Sequence, residues 1–124
     1  MAVKKEKNNI SPDLLKIYEQ LISAIPSVER KGASMPYTSL NGHMFSFISP
    51  EGKMGLRLPP NEREEFIKIF KVQLFIGHGT VLKEYVTVPE KLLKDIKSLK
   101  KYFTISYDYV KGLKPKPTTK KRIN

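Results

Sequence analysis

The chain has no cysteine, which excludes disulfides, thiolate nucleophiles and thiolate metal sites together. Histidine is scarce too: His43 and His78 are the two present, and neither has carboxylates at a recognisable metal-ligand spacing. No apolar run approaches the roughly 18 residues that a membrane span needs. Behind Lys4 and Lys5 the chain stays polar, which speaks against a secretory signal. Glycine-rich phosphate loops, Walker motifs and Ser/His/Asp patterns are missing. These absences point to a cytoplasmic protein without enzymatic activity, cofactor, metal or membrane contact.

What is present is ordinary for a globular chain, with 40% hydrophobic and 28% charged residues in a length that suits one domain. The formal charge of +11 is unevenly placed. Residues 1–10 hold three lysines and one glutamate, and residues 111–124 hold five lysines and one arginine without an acid. The body between them, with 14 basic and 11 acidic residues, carries only +3. Residues 1–10 and 114–124 are expected to be disordered, flanking a single domain over 11–113.

In chain order, Ser11-Pro12-Asp13 predicts a helix start, with Ser11 as N-cap. An apolar stripe of Leu14, Ile17, Tyr18, Leu21, Ile22 and Ile25 follows, until Pro26. Residues 35–40 read as a short strand weakened by Pro36, and Asn41-Gly42 as a hairpin turn. The next two strands, within Asn41–Pro60, are joined by Ser49-Pro50-Glu51-Gly52. In the first, Phe45 and Phe47 alternate with His43, Ser46 and Ile48; in the second, Met54, Leu56 and Leu58 alternate with Gly55 and Arg57. One apolar face and one mixed face are expected. Asn61 with Glu64 three residues on predicts a capping box, and Phe66, Ile67, Ile69 and Phe70 the buried side of a second helix. Strands over 72–76 and 81–88 flank Gly77-His78-Gly79-Thr80. A final stripe from Leu92 to Leu113 predicts a helix with room for a break near Asp95. The expected architecture is α+β, a two-layer sandwich in the order α-β-β-β-α-β-β-α, with a mainly antiparallel sheet of about five strands.

Three segments carry a family likeness: Gly42-His43-Met44-Phe45-Ser46-Phe47-Ile48, Lys53-Met54-Gly55-Leu56-Arg57-Leu58, and Asn61-Glu62-Arg63-Glu64-Glu65-Phe66. Together with Tyr85-Val86-Thr87-Val88-Pro89-Glu90, they make residues 12–113 resemble the N-terminal domain of the TfoX/Sxy family. The chain departs from it at Met35-Pro36-Tyr37-Thr38, where family members often carry Met-Phe-Gly-Gly. The resemblance implies a secretion-chaperone-like sandwich, a bacterial source and a link to regulation of competence. The full-length regulators carry a second domain for which this chain has no room.

Three kinds of function remain open on these residues. The first is an interaction or regulatory domain working through protein contacts, as a homodimer or with another protein. The second is a nucleic-acid-associated protein whose phosphate anchor is Lys111, Lys114, Lys116, Lys120, Lys121 and Arg122; the competing reading is a solubilising tail. The third is a small-molecule-binding domain using the mixed face around His43 and Arg57. Glu62, Glu64 and Glu65 are already explained by the dipole of the helix they open. Tyr102, Phe103, Tyr107 and Tyr109 fit core packing better than a base-stacking platform, which sheet strands provide more often.

Overall fold

The computed structural model describes residues 10–32, 35–77 and 79–115. The two termini expected to be disordered fall outside this set, apart from Ile10, Lys114 and Pro115, and so does His78. Helix α1 (Pro12–Ser23) begins as the sequence predicts, with Ser11 Oγ accepting the Leu14 N–H at 3.1 Å. Strands β1 (Tyr37–Leu40) and β2 (His43–Ile48) are joined by Asn41 and Gly42, at φ of 56° and 80°. Two positive φ values in a two-residue loop match the right-handed twist of the strands it joins. Strand β3 (Met54–Arg57) follows the Ser49–Gly52 turn, closed by the Gly52 N–H on the Ser49 carbonyl at 2.9 Å.

Helix α2 (Pro60–Phe70) leads to β4 (Leu74–Gly77) and β5 (Thr80–Thr87). The final helical stripe is divided into α3 (Glu90–Leu93) and α4 (Ile96–Lys111). The break falls where Asp95 caps α4, accepting the Ser98 N–H at 3.3 Å and its hydroxyl at 2.8 Å. The five strands form one antiparallel sheet in the order β1-β2-β3-β5-β4, with β3 at its centre. The helices pack on it to give the expected α+β sandwich. No helix among the described residues is long and apolar enough to cross a membrane.

Three local expectations fail, each for a physical reason. The capping box at Asn61 does not form, because the chain enters α2 through Pro59 and Pro60 and Asn61 already lies in the first turn. Ile69 is not on the buried side: it is 61% exposed, while Phe66 and Phe70 turn inward against Tyr102. The fourth strand starts at Leu74 rather than Val72, since Lys71 closes α2 in the left-handed region at φ 53° and two residues reverse the chain.

The simple alternation expected of β2 is interrupted as well. Thr38 pairs with Ser46 but Ser39 pairs with Met44, so Phe45 is an extra residue, a β-bulge. Phe45 and Ser46 are therefore both buried on the helix side, while Met44 and Phe47 lie on the other face. The bulge has its own support. Ser106 of α4 donates to the Phe45 carbonyl at 3.1 Å, and the Phe45 ring meets Phe103 at 5.5 Å and Tyr107 at 5.9 Å between centroids. Beside it, Ser46 Oγ bonds Tyr18 OH at 2.7 Å and Thr38 Oγ1 at 2.6 Å, so three buried hydroxyls satisfy one another where α1 meets the sheet. Burial pushes the Tyr18 phenol well above its ordinary pKa, against the pull of the Ser46 and Thr38 hydrogen bonds. The core around them is apolar: Leu21, Ile48, Met54, Leu56, Phe66, Val86, Leu99 and Phe103 are all buried.

Candidate functional site

Among the described residues, none of the helices is packed on the second face of the sheet. Its centre is Phe47, whose ring lies over Gly55, packs edge-on against Phe75 at 4.7 Å and tilts against Tyr85 at 5.5 Å. Glycine is required at 55 for this close approach, since a Cβ there would come within 2.3 Å of the Phe47 ring. Around this aromatic row opens a cleft of about 310 Å³, walled by Met35, Tyr37, Met44, Phe47, Phe75 and Leu82. Ser49, Pro50 and Glu51 close one end, and Glu51 is the one ionisable carboxylate on its lining. Met35 is 45% exposed at its rim. A mixed face is expected from the sequence; it is largely apolar, with Met35, Tyr37, Phe75 and Leu82 around Phe47, and the bulge puts Met44 on it in place of Phe45.

The structure brings His43 and Arg57 together, at the end of the sheet beside the last turn of α4. Arg57 Nε donates to Glu84 Oε1 at 2.8 Å, and its Nη1 lies 3.5 Å from His43 Nδ1. The Arg57 guanidinium carbon sits 5.6 Å from the Tyr109 ring centre and 6.0 Å from that of Tyr85. His43 Nε2 is 2.9 Å from the Lys114 carbonyl, which fits an Nε2–H donor with Nδ1 left to accept from Arg57. Asn41 Nδ2 donates to the Lys111 and Val110 carbonyls at 3.2 and 3.4 Å. The β1–β2 turn thus reaches carbonyls of the last turn of α4, and His43 one just beyond the helix. Burial raises the Glu84 pKa, but the Arg57 hydrogen bond and charge outweigh it, with Tyr109 helping, and the net shift is downward. Burial also raises the Tyr85 pKa, against the Arg57 charge; its hydroxyl donates to the Met44 carbonyl at 2.6 Å.

This cluster is a clamp. Its donors and acceptors are directed at one another and at the backbone at and just beyond the end of α4, and neither His43 nor Arg57 lines the cleft. Among the described residues, no group of three or more His, Cys, Asp or Glu is placed to hold a metal ion.

Of the six basic residues singled out at the C-terminus, Lys111 and Lys114 are exposed. Lys111 Nζ lies 5.8 Å from the Tyr107 ring centre. Lys116, Lys120, Lys121 and Arg122 lie outside the described residues. Lys91, Lys94, Lys97, Lys100 and Lys101, exposed on α3 and α4, were not singled out from sequence and extend the same basic character over the helical layer. The aromatic residues of α4 pack inward, as expected: Phe103 is fully buried, Tyr102 meets Phe66 at 4.9 Å and Tyr107 meets Phe45.

Compared with known proteins, the chain matches no protein-family model, no curated protein and no solved structure.

Proposed function

We propose that the protein is a non-enzymatic interaction domain, which seats an apolar segment of a partner protein on the uncovered face of its sheet. The observation that carries this reading is the Met35–Tyr37–Met44–Phe47–Phe75–Leu82 cleft. Its volume of about 310 Å³ is at the low end of ligand pockets, which run from about 300 to 1,000 Å³, and suits a few side chains better than a large cofactor. Two methionines on its wall give it an adaptable apolar lining of the kind that accepts partner side chains. The resemblance to TfoX/Sxy N-terminal domains supports the same class, a bacterial regulatory domain working through protein contacts.

The test is selection of peptides from a displayed random library against the full chain, followed by binding measurements with Met44→Glu. Met44 is only half-buried, so a carboxylate is accommodated there without unfolding the core. Selected peptides sharing an apolar anchor, and losing about tenfold or more in affinity for the variant, support the reading. If no peptide is enriched, or the variant binds as well as the parent, the reading fails.

A second reading is favoured by the lysines on α3 and α4, which continue into the C-terminal basic residues. In it the helical layer contacts a nucleic-acid backbone without sequence preference. Binding to duplex DNA and to single-stranded RNA should then weaken steeply with salt. Removing residues 116–124 should lower the slope of that dependence; a slope that does not change, or no binding at low salt, rejects it.

A further inference from the structure

The two edges of the sheet are finished differently. At β1, Lys31 pairs back across the strand: the Lys31 N–H donates to the Tyr37 carbonyl at 2.8 Å and the Tyr37 N–H to the Lys31 carbonyl at 2.9 Å. Pro36 precedes that strand, and α4 packs near it. Such devices keep an edge from pairing with another chain. At the β4 edge the described residues show one such device, a register shift against β5 between Leu74 and Phe75, which leaves Phe75, Ile76 and Gly77 regularly paired. Residues 72–77, Val-Gln-Leu-Phe-Ile-Gly, hold no proline and no charge.

The backbone geometry of that edge follows from its hairpin. Gly77 pairs with Thr80 across a two-residue loop, so that pair exchanges both hydrogen bonds, and Phe75 with Leu82 does the same. The N–H and C=O of Ile76 between them therefore point away from β5, towards solvent. The Ile76 side chain is 56% exposed, and its cross-strand neighbour Val81 is 48% exposed. These are two of the four large hydrophobic side chains that stand exposed among the described residues.

We infer that β4 is a self-association edge, whose occupant is β4 of a second copy of this chain, antiparallel about a two-fold axis. An axis through Ile76 lets the Ile76 residues of the two copies exchange both hydrogen bonds, joining two sheets into one of ten strands. Three observations favour a second copy over an unrelated strand. An antiparallel edge meeting itself about a two-fold is self-complementary. Each copy brings the same Ile76 and Val81 row, so an apolar row covers an apolar row. The +11 charge of the chain is absent from residues 72–77, so like-charge repulsion is small where the copies touch. A four-residue edge falls short of the roughly 1,000 Å² of a stable interface, so the dimer is weak and concentration-dependent. β4 also lends Phe75 and Gly77 to the cleft, but the edge acts through its outer backbone and through Ile76, which does not line the cleft, so either assignment can fail without the other.

Sedimentation equilibrium of the full chain, from about 10 μM to about 1 mM, reads the association directly. The expected result is a mass rising from monomer towards dimer. Ile76→Lys should raise the dissociation constant at least about tenfold with unchanged far-ultraviolet dichroism, since a lysine on an exposed edge is tolerated and blocks pairing. Val81→Lys should act in the same direction, and Met44→Lys, on the uncovered face, should leave the dimer intact. A monomer at every concentration overturns the inference. So does a dimer that survives Ile76→Lys, or one that is lost with Met44→Lys.

Discussion

Replacing Gly55 by alanine places a methyl carbon where the Phe47 ring already lies, 2.3 Å from Cζ, 2.6 Å from Cε2 and 2.9 Å from Cε1. The backbone cannot retreat, because β3 is paired on both sides, Gly55 opposite Phe47 on β2 and opposite Thr87 on β5. The ring must move instead, away from Phe75 at 4.7 Å and Tyr85 at 5.5 Å. Weakening two aromatic pairs costs about 0.5–1.5 kcal/mol each and an off-rotamer χ about as much again, while losing a strand glycine returns about 0.5–1 kcal/mol. The net expectation is a destabilisation of about 1–3 kcal/mol in urea unfolding followed by circular dichroism, with an unchanged m-value. The diagnostic is the same substitution in a Phe47→Leu background. With the ring gone, alanine at 55 should be neutral or stabilising by up to about 1 kcal/mol, because it restricts the unfolded chain. If Gly55→Ala costs the same in both backgrounds, or nothing in the parent, the ring is not what requires glycine there.

Two further expectations rest on the core and its titrating groups. Ser46→Ala removes the hydroxyl that both Tyr18 and Thr38 bond, and should cost about 1–3 kcal/mol. Tyr18→Phe leaves the Ser46–Thr38 bond in place and should cost less, about 1 kcal/mol; equilibrium unfolding showing the reverse order would reject the hydroxyl network as described. Tyr18 and Tyr85 are raised in the folded state, so the folded chain holds their protons more tightly than the unfolded one. The stability this gives is complete below the ordinary phenol value of about 10 and is lost as pH rises through the folded values. Absorbance at 295 nm should therefore show a component ionising later in buffer than in concentrated urea, and Tyr18→Phe should shrink it; superimposable curves would refute the burial argument.

The element order could be read from the sequence because its signals are local. Ser11-Pro12, Asn41-Gly42 and the Ser49–Gly52 turn each fix a boundary with their own backbone chemistry, and the stripes at spacing 3.6 and 2 do the rest. What such signals do not show depends on non-local pairing or on a neighbouring residue that overrides them. Nothing at Lys71 announces that a lysine will take the left-handed region where glycine is usual, so the start of β4 was placed too early. The capping box at Asn61 is a sound local signal overridden by Pro59-Pro60 immediately before it. The character of the uncovered face turned on the Phe45 bulge, which exists only in the pairing of β2 with β1. His43 and Arg57 do meet, but their partners Glu84 of β5, Tyr109 of α4 and Lys114 just after it come from later in the chain. The clamp they form was therefore invisible to spacing.

The extra residue in β2 makes the two faces of this sheet depend on counting. Phe45, Ser46 and Ile48 address the core, while Met44 and Phe47 address the cleft. Substitutions along the strand alter one address at a time and by degrees. Gaining or losing a single residue between Met44 and Ile48 shifts the parity of everything on one side of it, exchanging what the helices grip for what the cleft displays. Sequences that keep this surface can therefore drift in identity along β2 while its length stays fixed, and length changes should collect in the loops at either end.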